Sequence, residues 1–231
     1  MYVVKSYAED VPENKKENLD GNTVNADDIR KHLNKMVIAI SDFINDGKII
    51  IASYGEDPCT GIGIIPKVEH FGKDEVEKML KFIERLSLEK NRNVYMPLVL
   101  MKSGLKRNKK GGEDDILAVF GLCADFDDGQ ASEYLERLPL EPDFVLETSK
   151  DRFQAVYSFD KPIDPKEAKI VAAMLKQYAD CDHGTSDISH VWRTCGTFNW
   201  PNQKKVKEGR STDPQIVKLA YEKKGLTRNI L

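Results

Sequence analysis

The residues with most chemistry in them are two carboxylates spaced two apart at the end of an apolar run, Leu122-Cys123-Ala124-Asp125-Phe126-Asp127-Asp128-Gly129. On a strand, alternate side chains share a face, so Asp125 and Asp127 present their charges together. Like charges that close repel, and burial raises the cost. A cation offsets that repulsion, and carboxylate oxygens suit the hard ions Mg2+ and Mn2+. Pairs of such ions serve in-line phosphoryl transfer. The competing reading is a turn, since Asp-Asp-Gly is ordinary turn chemistry. The spacing alone does not separate the two.

The run carrying the pair, Ile116 to Ala124, is nearly all apolar, as in a strand covered on both faces. Around it the pattern predicts a short helix over Gln130–Leu138 and strands over Phe144–Glu147 and Phe153–Phe159. A helix follows from Asp164-Pro165-Lys166-Glu167, with an N-cap Asp and Pro in its first turn, and then a strand over His190–Cys195. This β-α-β-β-α-β order predicts an α+β fold whose core is RRM-like, a split βαβ unit. Before it, Ile29, Leu33, Met36, Val37, Ile40, Phe43 and Ile44 mark a helix capped by Asn25, and Val76, Met79, Leu80, Ile83 and Leu86 a second one. Ile49–Ile51 and Tyr95–Met101 read as strands; residues 55–66 and 102–115 read as loops. The expected organisation is a polar arm over residues 1–24 and one domain over 25–231. Within that domain, 25–94 is an N-terminal αβ part, 95–205 the motif-bearing core and 206–231 a C-terminal extension.

In a ferredoxin-like sheet the strand order is 4-1-3-2, so the first strand lies between the third and the fourth. The end carrying Asp125 and Asp127 would then be flanked by Arg152-Phe153-Gln154 and by the segment Ser186-Asp187-Ile188-Ser189-His190. A third carboxylate, Asp187, with Arg152, Gln154 and Arg193 beside the pair, makes a phosphoryl-transfer constellation.

These same segments resemble the archaeo-eukaryotic primase superfamily, and within it the primase-polymerase domains of plasmids, phages and other mobile elements. The resemblance rests on Asp125-Phe126-Asp127, on Arg152-Phe153-Gln154-Ala155-Val156-Tyr157, and on Asp187-Ile188-Ser189-His190-Val191-Trp192-Arg193-Thr194-Cys195-Gly196-Thr197-Phe198-Asn199. It covers roughly residues 95–205. Gln154 stands where most members have His, and Cys195 where they have Pro. The resemblance implies a template-dependent primase or polymerase that transfers nucleotides from dNTPs or NTPs to a 3′-hydroxyl, using Mg2+ or Mn2+ held by Asp125, Asp127 and Asp187. It implies nucleotide binding by Arg193, with Arg152, Gln154, Asn199 and Lys204 as further contacts. Single-stranded DNA template and primer would be the macromolecular partners. The end at Leu231 after a basic stretch is compatible with a catalytic domain of a longer protein carrying a helicase or accessory domain.

Bulk properties bound this picture. The chain has 231 residues, 40% hydrophobic and 32% charged, as in a globular protein with a real core. No apolar run reaches the roughly 20 residues needed to span a bilayer, and the start has no signal-peptide core. Four scattered cysteines without a CxxC pair read as reduced thiols of a cytoplasmic protein and argue against zinc. Net charge is −3, so nucleic acid would be met by local basic clusters. Lys102, Lys106, Arg107, Lys109 and Lys110 form one, Lys204, Lys205, Lys207 and Arg210 another, and Trp200 is a candidate base-stacking ring. His183 and His190 stand near Asp187, where a packed or hydrogen-bonded role is expected. Gly61-Ile62-Gly63 reads as a turn. Two other classes compete: a non-catalytic RRM-like nucleic-acid-binding module, and a metal-dependent nuclease.

Overall fold

The computed structural model describes residues 15–17, 23–41, 47–106, 108–127, 133 and 138–223. Within the expected polar arm, β1 (Lys15–Glu17) pairs with β2 (Thr23–Asn25). Helix α1 (Ala26–Ala39) starts where Asn25 Oδ1 accepts the Asp28 N–H, and it buries Ile29, Leu33 and Met36. Phe43 and Ile44, expected on its face, lie outside the described residues. Then come β3 (Ile49–Tyr54), β4 (Lys67–Phe71), α2 (Val76–Ser87), β5 (Asn93–Met96) and β6 (Val99–Met101). The second half runs β7 (Ile116–Phe126), β8 (Phe144–Ser149), β9 (Arg152–Ile163), α3 (Pro165–Ala179) and a 3-10 turn, His183–Ser186. It ends in β10 (Trp192–Arg193), β11 (Phe198–Asn199), α4 (Gln203–Lys207), β12 (Gln215–Ile216) and β13 (Lys218–Glu222). The predicted helix 130–138 lies mostly outside the described residues.

Two antiparallel sheets carry the molecule, ordered β13-β8-β9-β7-β6 and β10-β5-β3-β4. The mixed α/β class is as predicted, and so is the adjacency of β8, β9 and β7. The expected fourth strand is a correction. The free edge of β7 is occupied by β6, its near neighbour in sequence, while Trp192–Arg193 pairs with Tyr95–Met96 in the other sheet. The strand predicted over Tyr95–Met101 is in fact two, one in each sheet. Pro97, which has no N–H for a ladder, sits at the break. A further strand, β13, unassigned from sequence, edges the larger sheet against β8.

The larger sheet is covered on both faces, which explains the unbroken apolar run of β7. On one face Phe120, Cys123, Phe144, Leu146 and Val156 pack with Ile29, Leu33 and Met36 of α1. On the other, Val119, Leu122, Ala124 and Phe126 pack with Ala168, Ala172 and Leu175 of α3. Asp125 lies on the same side of β7 as Cys123, toward α1 and the smaller sheet. No helix among the described residues is long and apolar enough to cross a membrane.

His32 of α1 is a buried polar group in this layer. Its Nδ1 accepts the Cys195 N–H at 3.3 Å, and its ring meets Phe144 edge-on. Burial, and then Lys35, push its pKa down to about 4. The unfolded chain, with an ordinary histidine near 6.5, binds more protons between those values. Stability from this group is therefore present above about pH 6.5 and lost as pH falls through about 4. His32→Gln, which can still accept from Cys195, is expected to remove on the order of 2–3 kcal/mol of that slope. Chemical denaturation of variant and parent between pH 7 and 4 reads it; parallel curves would exclude a buried neutral imidazole.

Candidate active site

Antiparallel pairing sets Gln154 of β9 directly opposite Asp125 of β7. Gln154 is buried; its Nε2 donates to Asp125 Oδ1 at 3.3 Å and its Oε1 accepts the Arg193 N–H at 3.0 Å. The Arg193 N–H can only be met by the amide oxygen, so the amide nitrogen must face the carboxylate. Asp125, Gln154 and Arg193 thus meet as expected, but by another route. Arg193 arrives from β10 of the smaller sheet, and the site lies at the seam between the sheets. From the far side, Thr185 Oγ1 accepts the Asp125 N–H at 3.2 Å, and the Asp182 N–H donates to Asp125 O at 2.9 Å. The turn after α3 is bolted to the backbone of Asp125.

Burial pushes the pKa of Asp125 up to about 7, and the charge of Asp127, then that of Asp182, adds to the rise. The Gln154 hydrogen bond and Arg193 oppose it without winning. Asp127 is more open. Arg152 Nε lies 3.1 Å from its Oδ1, and Lys205 Nζ lies 3.2 Å from its Oδ2. Lys205 belongs to α4, which Gln203 pins to the loop of residues 55–66: its N–H donates to Glu56 and its Nε2 to Cys59 O. The Arg193 guanidinium lies 4.6 Å from the centre of the Tyr95 ring. Arg210 donates from Nη2 to Asn199 O at 2.9 Å, and its N–H to Lys205 O at 3.0 Å. Arg193 Nη1 and Arg210 Nε and Nη1 are buried with no acceptor among the described residues.

Asp187 is placed differently from the pair. Its Oδ1 accepts from the N–H and hydroxyl of Ser189, and its Oδ2 lies 4.0 Å from His190. Among the described residues no three His, Cys, Asp or Glu side chains draw together as a ready metal cage. The chemistry of Asp125 and Asp127 nevertheless fits a hard divalent ion: two carboxylates at one strand end, one driven toward protonation by its burial and by the charge of the other.

Lys204 is exposed and pairs with Glu208; its neighbour Lys205 reaches the acids. Asn199 is buried, donates to Thr148 O, and works as a backbone brace. Trp200, expected as a stacking platform, packs against Phe198 with only 5% exposure, so its faces are not open to a base. Lys106 and Lys109 are exposed, Lys110 donates to Ser189 O at 2.6 Å, and Arg107 lies outside the described residues. Sequence reasoning missed Asp182, Lys205 and Arg210 as members of the site. The last two were visible only as charges in the second basic cluster.

No protein-family model matches the sequence, and no curated protein matches it significantly. Solved structures match in fold. The AEP domain of the cyanophage S-2L primase-polymerase (PrimPol) matches with a TM-score of 0.55 at 16% identity, over 85% of this chain and 89% of that one. Primase RepB' matches with a TM-score of 0.51 at 16% identity, over 84% of this chain and 56% of that one. The chain therefore shares its fold with these solved primase structures.

Proposed function

We propose that residues 25–231 form a metal-dependent nucleotidyl transferase, a primase-polymerase that adds nucleotides from dNTPs or NTPs to a 3′-hydroxyl on a single-stranded DNA template. Replication, repair or mobile-element maintenance would be its setting. The observation that carries the reading is the meeting of Asp125, Asp127, Gln154 and Arg193 at one strand end, where burial and the charge of Asp127 raise the pKa of Asp125 to about 7.

Asp125 and Asp127 would hold Mg2+ or Mn2+, with Asp187 as the third candidate ligand. When bound, such ions lower the pKa of a hydroxyl and draw charge from a triphosphate. Gln154 orients the carboxylate of Asp125 with a neutral donor, which leaves it free of a protein ion pair at that oxygen. Arg193 and Arg152 oppose the phosphate charge. Lys106, Arg107 and Lys109, with the half-buried Lys110 beside them, would meet the backbone of the template strand.

Labelled dNTPs and NTPs, given with a single-stranded template, with and without primer, test the reading. Incorporation in Mg2+ or Mn2+ that stops in EDTA is the expected result. Template binding indifferent to metal, with no incorporation, would instead establish the non-catalytic module, and strand cleavage the nuclease.

A further inference from the structure

We propose that the outer edge of β4 and the flank of α2 form a docking groove for a partner protein, which enters as an extended acidic segment and adds a strand to the smaller sheet. This edge is the one opposite β10, the strand that carries Arg193, and the proposal does not rest on the nucleotidyl-transfer reading.

Among the described residues β4 pairs on one side only, with β3. Just before β3, and on its β5 side, Lys48 and Met101 exchange both backbone hydrogen bonds, at 2.8 and 2.9 Å. Along an antiparallel strand these groups alternate in direction, so Ile49, Ile51 and Ser53 turn theirs toward β4. Their partners are Phe71, Glu69 and Lys67. Val68 and His70 therefore direct their N–H and C=O groups away from the sheet. In keeping with this, the His70 N–H donates to the carboxylate of its neighbour Glu69, at a long 3.5 Å. The Gly72 N–H is already taken by Glu75 at 2.8 Å. The open stretch of edge is residues 68–70, enough for a short added strand.

Beside it lies a cleft of about 370 Å3, lined by Glu69 and Phe71 of β4 and by Lys78, Lys81, Phe82 and Arg85 of α2. Phe71 and Phe82 meet edge-on, 5.6 Å between centroids, and give it an apolar floor. Lys78 is paired with Glu75 at 2.5 Å. Lys81 and Arg85 are exposed and have no ion-pair partner among the described residues; the Arg85 guanidinium lies 5.1 Å from the centre of the Phe82 ring. An extended chain gives residues 68–70 their backbone partners, and its alternate side chains reach the cleft. An apolar side chain fits the phenylalanines, and carboxylates meet Lys81 and Arg85. A second copy does not suit this edge. Pairing β4 with itself would set two groups of Lys78, Lys81 and Arg85 side by side, and like charges repel. Nucleic acid has the charge but not the peptide groups that match an open sheet edge.

Calorimetric titration of the intact chain with a short synthetic peptide tests the groove. The probe alternates aspartate with valine around a central phenylalanine and is blocked at both ends. The parent is expected to bind it, and the double variant Lys81→Gln, Arg85→Gln to bind it roughly fivefold or more weakly, with near-parental melting. Two further peptides, methylated on alternate backbone nitrogens in opposite phase, need no variant. One phase faces solvent and should bind as before; the other faces β4 and should lose roughly tenfold or more. Bound peptide should also slow hydrogen exchange at the His70 amide, which a loose charge contact would not do. No binding by the parent, equal binding by the double variant, or equal binding of the two methylated peptides overturns the proposal. So does a single-stranded oligonucleotide whose binding depends on Lys81 and Arg85 while the peptide is refused, which would assign the groove to nucleic acid.

Discussion

Asp125→Asn is expected to abolish nucleotide incorporation and, at the same time, to raise the melting temperature of the metal-free protein. The loss follows from removing a charged metal ligand: at least about a thousandfold in rate, or about 4 kcal/mol of transition-state stabilisation. The gain follows from electrostatics. The native carboxyl, with a pKa of about 7, holds its proton more tightly than the same group in the unfolded chain, where the ordinary value is 3.8. The native state therefore binds more protons between those values, and stability falls as pH rises from about 4 to about 7. Above that the ionised group costs on the order of 2–4 kcal/mol. Asparagine keeps an oxygen for Gln154 Nε2 and carries no charge to repel Asp127. The stability difference between variant and parent should open between pH 4 and 7 and stay constant above. His32 titrates in the same window with the opposite slope, so each effect must be read as variant against parent. Added Mn2+ should stabilise the parent and leave the variant where it is. Asp127→Asn is the contrasting case, with the same loss of incorporation but no gain in stability, because Arg152 and Lys205 already balance that charge. Thermal melts from pH 4 to 8 in EDTA, beside incorporation assays in Mn2+, check both. An Asp125→Asn protein that melts below its parent at pH 8, or polymerises at the parental rate, would remove the premise that this carboxylate is held for a cation.

The opposition of Asp125 and Gln154 and the arrival of Arg193 were legible in the sequence for different reasons. The strand end of β7 and its partner β9 follow from alternation and from a short connection through β8, which are local properties. Arg193 came from an assumed sheet order that proved wrong in its fourth member. The expectation survived because the Asp187–Asn199 segment still passes the same strand end, now from the smaller sheet. Partner choice between two sheets is non-local: nothing in Trp192-Arg193 says that Tyr95-Met96, rather than β7, will receive it. Lys205 reaches Asp127, whereas Lys204, expected as a nucleotide contact, points elsewhere on the same helix, because one helical step turns a side chain by about 100°. That phase depends on where Asn202 caps α4. Trp200 was misjudged because a neighbouring proline suggests an open loop, while Asn93 accepts the Trp200 N–H and draws the ring inward. Arg210 had no signal beyond its charge, since the absence of an acceptor is a property of three-dimensional packing.

Gly196→Ala is expected to cost roughly 3 kcal/mol or more of stability and to lower incorporation with it. Gly196 has φ +77, a conformation that L side chains adopt at a cost. A Cβ placed there would lie 2.4 Å from Asn25 O and 2.9 Å from Ile29 Cγ1, so backbone must move. That backbone is the cap of α1. Asn25 also donates its N–H to Gly196 O at 3.1 Å, while the Gly196 N–H donates to Val217 O at 2.8 Å. One residue therefore joins the start of α1, the Arg193–Asn199 segment and the approach to β13. Displacing it pulls on Arg193 and, through the Arg193 N–H, on Gln154 and Asp125. Chemical denaturation should show a lower midpoint with an unchanged slope. The contrast with Asp125→Asn is the informative part: there activity falls while stability rises, here both fall. The glycine of the Cys195-Gly196-Thr197 motif would then be a residue that holds the site, and Asp125 one that acts in it. Parental stability in Gly196→Ala, with incorporation lost, would reverse that assignment and put Gly196 against the ligand.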